Sequence, residues 1–173
     1  MKFELDQGIA ILENTPSVMN NLIGSLSESW TSKSEGPKSW SPYDIVGHLI
    51  HGEKTDWISR MEIILDGNKN QVFEPFDRFA QFENSKGRSL EDLLEEFSSL
   101  RDSNLTYLKS KKLSTDDLLM EAKHPDFGRV ILSELLASWV VHDLNHIAQT
   151  CRVMASQYKQ EVGPWKNYMG ILM

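Results

Sequence analysis

The stretch Trp40-Ser41-Pro42-Tyr43-Asp44-Ile45 carries four signals that mark the start of a helix. Its serine can cap the first turn, its proline fits the first helical position, and its aspartate lies at the third position. Its tryptophan precedes the cap and can pack on its isoleucine, as in a hydrophobic staple. Apolar residues at helical spacing follow as far as Leu65. We therefore predict a long helix that begins at Pro42 and stops at Asp66-Gly67-Asn68.

Helical spacing also dominates on both sides of this segment. Residues 2–27 form one such segment, and Thr15-Pro16 interrupts it, so either two half-helices or one kinked helix is expected there. A third helix starts after Ser89, and a fourth covers about residues 132–158. Four long helices predict an all-α fold, a four-helix bundle, with residues 1–173 in one domain. The expected core positions of the third helix are Leu90, Leu93, Leu94, Phe97, Leu100 and Leu108.

Two irregular segments connect these helices. Residues 69–88 form an aromatic loop between the second and third helices, and we expect its large apolar groups to pack on the core rather than to line a pocket. Residues 110–129 are polar and rich in turns, with a short helical turn at 115–119 and a turn at 124–128 that leaves His124 solvated. The aromatic side chains of the first loop are Phe73, Phe76, Phe79 and Phe82.

The composition excludes several classes of protein. The 173 residues include 18 basic and 25 acidic ones, and the net charge of −7 disfavours nucleic acid and anionic membranes as partners. With one cysteine, Cys151, the chain can form neither an internal disulfide nor a cysteine-based zinc site. The first residues lack the basic and apolar regions of a signal peptide, and no apolar stretch approaches the length of a membrane span. We therefore expect a cytoplasmic protein.

Two of the five histidines lie one helical turn apart in the last helix. His142 and His146 therefore share one face with Ser138 and Gln149, and burial of this polar stripe requires partners. A metal ion would supply them, because histidines at i and i+4 offer two ligands in a fixed arrangement. His48, in the apolar setting of the second helix, is the best candidate for a third ligand. Histidines that only hydrogen-bond in a dry core are the alternative.

Four neighbours of these histidines are candidates for a pocket or for a supporting role. His51 lies one turn from His48, where it could shuttle protons, serve as an alternative ligand or be no more than a partly exposed side chain. Asp143 could accept a hydrogen bond from a ligand histidine or be a solvated helix residue. Gln149 could orient a substrate or bond to the backbone, and Asn145 flanks the histidine pair. The sequence assigns no catalytic residue and offers no evident general base.

Four segments form a set that is more specific than any one of them. They are Trp40-Ser41-Pro42, Gly47-His48-Leu49, a glycine-bearing segment near Gly128, and His142-Asp143-Leu144-Asn145-His146-Ile147-Ala148-Gln149. In this order, over nearly the whole chain, the set resembles the DinB-like superfamily, also called the YfiT-like metal-dependent hydrolases. The resemblance implies a four-helix bundle, often a homodimer, with a divalent metal site. Its ligands in this sequence would be His48, His142 and His146.

A metal that is held by three imidazoles keeps open coordination positions, which is typical of catalytic sites. The first functional hypothesis is therefore a metal-dependent hydrolase that activates water for attack on a small-molecule substrate. Two alternatives stay open. One is a thiol-dependent S-transferase or isomerase, which the resemblance also implies, and the other is a non-catalytic stress protein that binds a metal or small ligand. The ion could be zinc, nickel, iron or manganese, because imidazole suits all of them.

Overall fold

The structure, a computed structural model, describes residues 1–68 and 70–173. The helices of this part of the chain are α1 (Leu5–Ile23), α2 (Glu28–Thr31), α3 (Pro42–Thr55), α4 (Trp57–Leu65), α5 (Ala80–Asn84), α6 (Leu90–Ser110) and α7 (Leu132–Ser156). Two short strands, β1 (Glu121–His124) and β2 (Gly128–Ile131), pair as an antiparallel hairpin. The remaining regular elements are 3-10 turns at Asp117–Leu119, Gly163–Tyr168 and Gly170–Leu172.

The long helices form the predicted four-helix bundle. Helix α1 packs against α6 and α7, and α3 packs against the same two helices. Helix α4 continues the α3 segment along α7, so that α3 and α4 together serve as one member of the bundle. Within the described residues, each helix is too short or too polar to cross a lipid bilayer.

The helix starts follow from local chemistry, as the sequence predicts. At the start of α3 the Ser41 hydroxyl accepts from the backbone N–H of Asp44, and the Asp44 carboxylate accepts from the backbone N–H of Ser41. Ser89 and Asp92 make the same reciprocal pair at the start of α6. Each capping box satisfies backbone donors that a helix start leaves free. The predicted starts of both helices are confirmed.

The helix lengths depart from the prediction in two places. The long helix expected from Pro42 is interrupted at Asp56, whose backbone (φ −113°, ψ −74°) separates α3 from α4. The first helix runs through Pro16 as a single helix, so the alternative of two half-helices is wrong. Pro16 lies on the buried face of α1, where packing on the bundle offsets the hydrogen bond that proline cannot make.

The aromatic loop is only partly buried. Phe73 packs in the core, whereas Phe79 and Phe82 are 61% and 44% exposed, so the expectation that all four rings reach the core is wrong. The backbone of the loop is held to the edge of the hairpin, where Phe73 N–H donates to the Lys123 carbonyl at 3.0 Å. The sequence analysis found the turn of this hairpin but missed its two strands, which are four residues each. Lys69, at the start of the predicted loop, lies outside the described residues.

Two apolar clusters fill the bundle, and a polar layer separates them. In each member of the bundle, at least one buried polar residue lies between the residues of one cluster and those of the other. For example, Thr15 in α1 lies between Leu12 and Met19, which belong to different clusters. The corresponding residues of the other members are Glu53 in α3, Arg101 in α6 and Asp143 in α7. The candidate functional residues lie in and beside this layer.

Candidate metal centre

Three histidine side chains meet beside the polar layer. His48 comes from α3, and His142 and His146 come from α7. The Nε2 atom of His142 lies 3.0 Å from that of His48 and 3.1 Å from that of His146. Each residue thus offers one nitrogen to a group whose members lie within 4.8 Å of one another. We call this group the histidine cluster. The structure brings together the pair and the third histidine that the sequence singled out.

The neighbours of the cluster fix the orientation of its rings. Gln149 Oε1 lies 2.8 Å from Nδ1 of His146. Because an amide oxygen can only accept, Nδ1 of His146 carries the proton and its Nε2 presents a lone pair to the cluster. The Trp40 ring stacks on His146 at 15° and 6.0 Å between centroids, and Trp57 meets His142 edge-on at 5.1 Å. The imidazoles are therefore held by packing as well as by hydrogen bonds.

Burial keeps two of the three imidazoles neutral. It lowers the pKa of His48 to about 2, with smaller contributions from the neighbouring histidines. Burial also lowers the pKa of His146 to about 4, and the proximity of His142 adds to this effect. Both pKa values lie far below the ordinary value of 6.5. At neutral pH these side chains are in the uncharged form that ligates metals.

The donor set of the cluster fits a divalent cation. His142 Nε2 faces two nitrogens at hydrogen-bond distance, and one N–H cannot point along both contacts. If the Nε2 atom of His142 carries no proton, its lone pair faces the lone pair on Nε2 of His146, and the two repel each other. A cation placed among the three nitrogens would accept all the lone pairs at once.

The cluster opens into a cavity of about 740 Å³. Asp56, at the break between α3 and α4, is buried in its wall and lies 2.5 Å from Arg60 Nε. Burial raises the pKa of Asp56, although the charge of Arg60 opposes this shift. The hairpin covers another part of the cavity. The residues that line it are Trp40, His48, Gly52, Asp56, Arg60, Pro75, Phe76, Arg78, His124, Pro125, Asp126, Phe127, His142, Asn145 and His146.

The structure places the other candidate residues from the sequence in different surroundings. Asn145 lines the cavity, whereas His51 is buried against Phe76 at 4.8 Å and is not among the residues that line it. His124 is not solvated as predicted, because its ring stacks on Phe127 at 4.2 Å and its side chain is 15% exposed. Ser138 is exposed and does not extend the buried polar stripe. Cys151 is half-buried and outside the histidine cluster.

Next to the cluster, Glu53, Arg101 and Asp143 form a buried ion network. Arg101 donates to Asp143 Oδ2 at 2.6 Å and to Glu53 Oε1 at 2.8 Å. Glu53 also accepts from Trp139 Nε1 at 3.1 Å and from Asn104 Nδ2 at 2.9 Å. The side chains of Glu53, Arg101 and Asp143 are at most 1% exposed. Burial opposes the ionisation of Asp143, but the neighbouring His142 and Arg101 outweigh it and hold its pKa below the usual range.

The network corrects one alternative and connects to the cluster. Asp143 is fully buried, so the interpretation of it as a solvated helix residue is wrong. Its Oδ1 atom lies 4.0 Å from Nδ1 of His142, beyond hydrogen-bond distance. With two carboxylates and one guanidinium, the network holds one net negative charge beside the histidines. That charge favours a cation in the cluster.

Several residues of the site were missed in the sequence. Arg101 could have been found, because it lies at i+4 from Phe97 and i−4 from Leu105 and so falls within the apolar stripe of its helix. A charged residue in such a stripe requires buried partners. Asp56, Arg60 and Arg78 carry no comparable signal, because a helix break and a loop conformation bring them to the cavity.

Comparisons with known proteins agree with this architecture. A sequence model of the DinB superfamily matches residues 11–150. One solved structure that the fold resembles is YfiT from Bacillus subtilis, described as a probable metal-dependent hydrolase with an unusual four-helix bundle topology. The two share 21% sequence identity with a TM-score of 0.76, over 93% of this chain and 90% of that one. No curated protein matches the chain in sequence.

Proposed function

The chain belongs to the DinB superfamily, and from this premise we propose that it is a hydrolase whose divalent metal ion is bound by His48, His142 and His146. The observation that carries the proposal is the convergence of three Nε2 atoms at 3.0 and 3.1 Å at the base of a cavity. The description of YfiT as a probable metal-dependent hydrolase supports the same chemistry. Zinc, nickel, iron and manganese all accept imidazole ligands, and the donor set does not choose among them.

The chain's own residues would prepare the site for this chemistry. When bound, such an ion supplies an electrophile that polarises a carbonyl group and lowers the pKa of a water molecule toward about 7. Gln149 holds the His146 ring with its Nε2 lone pair toward the cluster, and the rings of Trp40 and Phe76 line the cavity beside it. Asp56 is the buried carboxylate of the cavity wall, and its raised pKa suits it to take up a proton from the nucleophile.

The test begins with metal content. Wild-type protein is reloaded separately with zinc, nickel, iron and manganese, and bound metal is measured by elemental analysis. We expect about one equivalent in the wild type and little in His142→Ala or His146→Ala, because each loses a ligand. His124→Ala is the matched control, since His124 lines the same cavity outside the cluster. Full metal content in His142→Ala would contradict the ligand assignment.

Activity then separates the functional alternatives. The loaded protein is tested on panels of esters, amides and thiol-conjugation substrates, with a chelator as the control. Hydrolysis that a chelator abolishes and metal restores would support the proposal. Turnover of thiol substrates alone would favour the S-transferase alternative, and bound metal without turnover would favour a binding protein. The small-molecule substrate, the homodimer, the cytoplasmic location and the single domain stay predictions.

A further inference from the structure

The charges that line the cavity leave one guanidinium without a partner. Asp56 and Arg60 form an ion pair in which both side chains are largely buried, at 11% and 12% exposed. Asp126, at the tip of the hairpin, is 79% exposed. Arg78 is exposed and makes no hydrogen bond or ion pair with any residue that the structure describes. Its neighbour Asp77 does not pair with it, because the Asp77 carboxylate accepts from the backbone N–H of Phe79 at 3.0 Å.

Arg78 faces the same cavity as the histidine cluster. Arg78 lies two residues after Phe76 in the chain. The ring of Phe76 meets that of His48 edge-on, with 5.6 Å between the ring centroids. Arg78 itself lines the cavity into which the histidine cluster opens. A substrate that reaches the cluster through this cavity is therefore exposed to the positive charge of the Arg78 guanidinium.

The cavity differs in charge from the rest of the chain. The whole chain carries a net charge of −7. The charged residues that line the cavity are two arginines and two aspartates, so their charges cancel. A divalent ion on three neutral imidazoles would add two positive charges, of which the net negative charge of the buried ion network beside the histidines offsets one. Such a local excess of positive charge attracts an anion that the remaining surface repels.

We propose that the substrate is a small molecule that bears a carboxylate, and that Arg78 binds this group while the reacting group lies at the histidine cluster. This inference rests on the proposed metal site. A planar guanidinium can pair with a carboxylate through two parallel hydrogen bonds, which gives it both affinity and a fixed orientation. The rings of Trp40, Phe76 and Phe127 would contact the apolar part of the molecule between its two ends.

The experiment uses two-headed probes on protein loaded with the metal, among zinc, nickel, iron and manganese, that binds most fully. One end of each probe is a hydroxamate, which binds metal ions, and the other end is a carboxylate on an alkyl chain of graded length. A matched series replaces the carboxylate with a neutral primary amide. Dissociation constants are measured by calorimetry for the wild type, for Arg78→Gln and for Arg129→Gln. The last variant loses the same charge from an arginine that is 64% exposed on β2 and does not line the cavity.

At the best chain length we expect the wild type to bind the carboxylate roughly tenfold more tightly than the amide. Arg78→Gln should bring the two dissociation constants to within about twofold and leave the amide unchanged, whereas Arg129→Gln should keep the preference. Equal binding of acid and amide at every length, or a preference that survives in Arg78→Gln, would overturn the inference while the metal site stands. Failure of zinc, nickel, iron and manganese alike to bind would overturn the proposed function, and the inference with it.

Discussion

The histidine cluster and the buried ion network lie side by side, yet their polar atoms are in opposite states. Both draw on α3 and α7. In the network, each carboxylate oxygen of Glu53 and Asp143 accepts at least one hydrogen bond from Arg101, Trp139 or Asn104. In the cluster, nitrogens face one another, and two buried Nδ1 atoms lack partners among the described residues. The comparison teaches that buried carboxylates whose oxygens all have partners specify the fold, whereas imidazole nitrogens that face one another indicate a ligand.

In α7, two adjacent residues belong one to the cluster and one to the network. His142 and Asp143 are adjacent, and successive side chains of a helix point about 100° apart. The imidazole therefore reaches the cavity while the carboxylate reaches Arg101 inside the bundle. Helix α3 also contributes to both regions. His48 belongs to the cluster, and Glu53, five residues later, belongs to the network. Within the polar layer, the carboxylates that point into the bundle are therefore paired, whereas the imidazoles that face the cavity are not.

The largest expected effect is a pH dependence that arises mainly from the cluster. His48 and His146 have pKa values of about 2 and about 4 in the folded protein, against 6.5 ordinarily, so the unfolded chain binds more protons below pH 6.5. The free energy of unfolding of the metal-free protein should therefore fall as pH falls from about 6.5 to 4. At about 1.4 kcal/mol per histidine and pH unit, the loss is on the order of 6 kcal/mol. Urea midpoints across this range measure it.

The control for the pH effect removes the titrating groups. The double variant His48→Leu, His146→Leu should lose most of this slope, because a leucine cannot bind a proton. The carboxylates elsewhere in the chain titrate equally in both proteins and so cancel in the comparison. An unchanged slope in the double variant would show that the cluster is not the source.

The second effect concerns the network. Arg101→Met removes the only guanidinium that faces two fully buried carboxylates among the described residues, and we expect a loss of about 3–5 kcal/mol in the free energy of unfolding. Arg129→Met is the control, since Arg129 is 64% exposed and its ion pair with Glu121 should contribute little to stability. Both are measured from urea unfolding at pH 7. A loss below about 1 kcal/mol in Arg101→Met would mean that the network does not hold the bundle together.

The smallest effect concerns the hydrogen bond that orients a cluster ring. Gln149→Leu removes the acceptor of His146 Nδ1–H, and metal affinity should fall about 10- to 100-fold with little change in stability. Competition with a chromogenic chelator measures the affinity. Gln149→Glu keeps an acceptor oxygen and should restore most of the binding. If the Gln149→Leu variant binds metal as tightly as the wild type, then Gln149 does not position the His146 ring.

Much of the fold could be predicted because its signals are local. The Ser41 and Ser89 caps depend on residues three positions apart, and the structure makes both capping boxes. The i, i+4 spacing of His142 and His146 places both rings on one face whatever surrounds the helix. His48 was found because a histidine in an apolar segment is expensive to bury alone. Its contact with His142 was an expectation that required the bundle to bring α3 beside α7.

The rest was decided by tertiary structure. The break at Asp56, the exposure of Phe79 and the hairpin over the cavity depend on contacts between segments far apart in the chain. Nothing near Asp56 in the sequence distinguishes it from a solvated helix residue. The sequence by itself determined where the helices start and which faces carry the histidines, because these follow from residues within a turn or two. Only the packed bundle decided which polar groups found partners, because burial and pairing are properties of neighbours that the chain brings together when it folds.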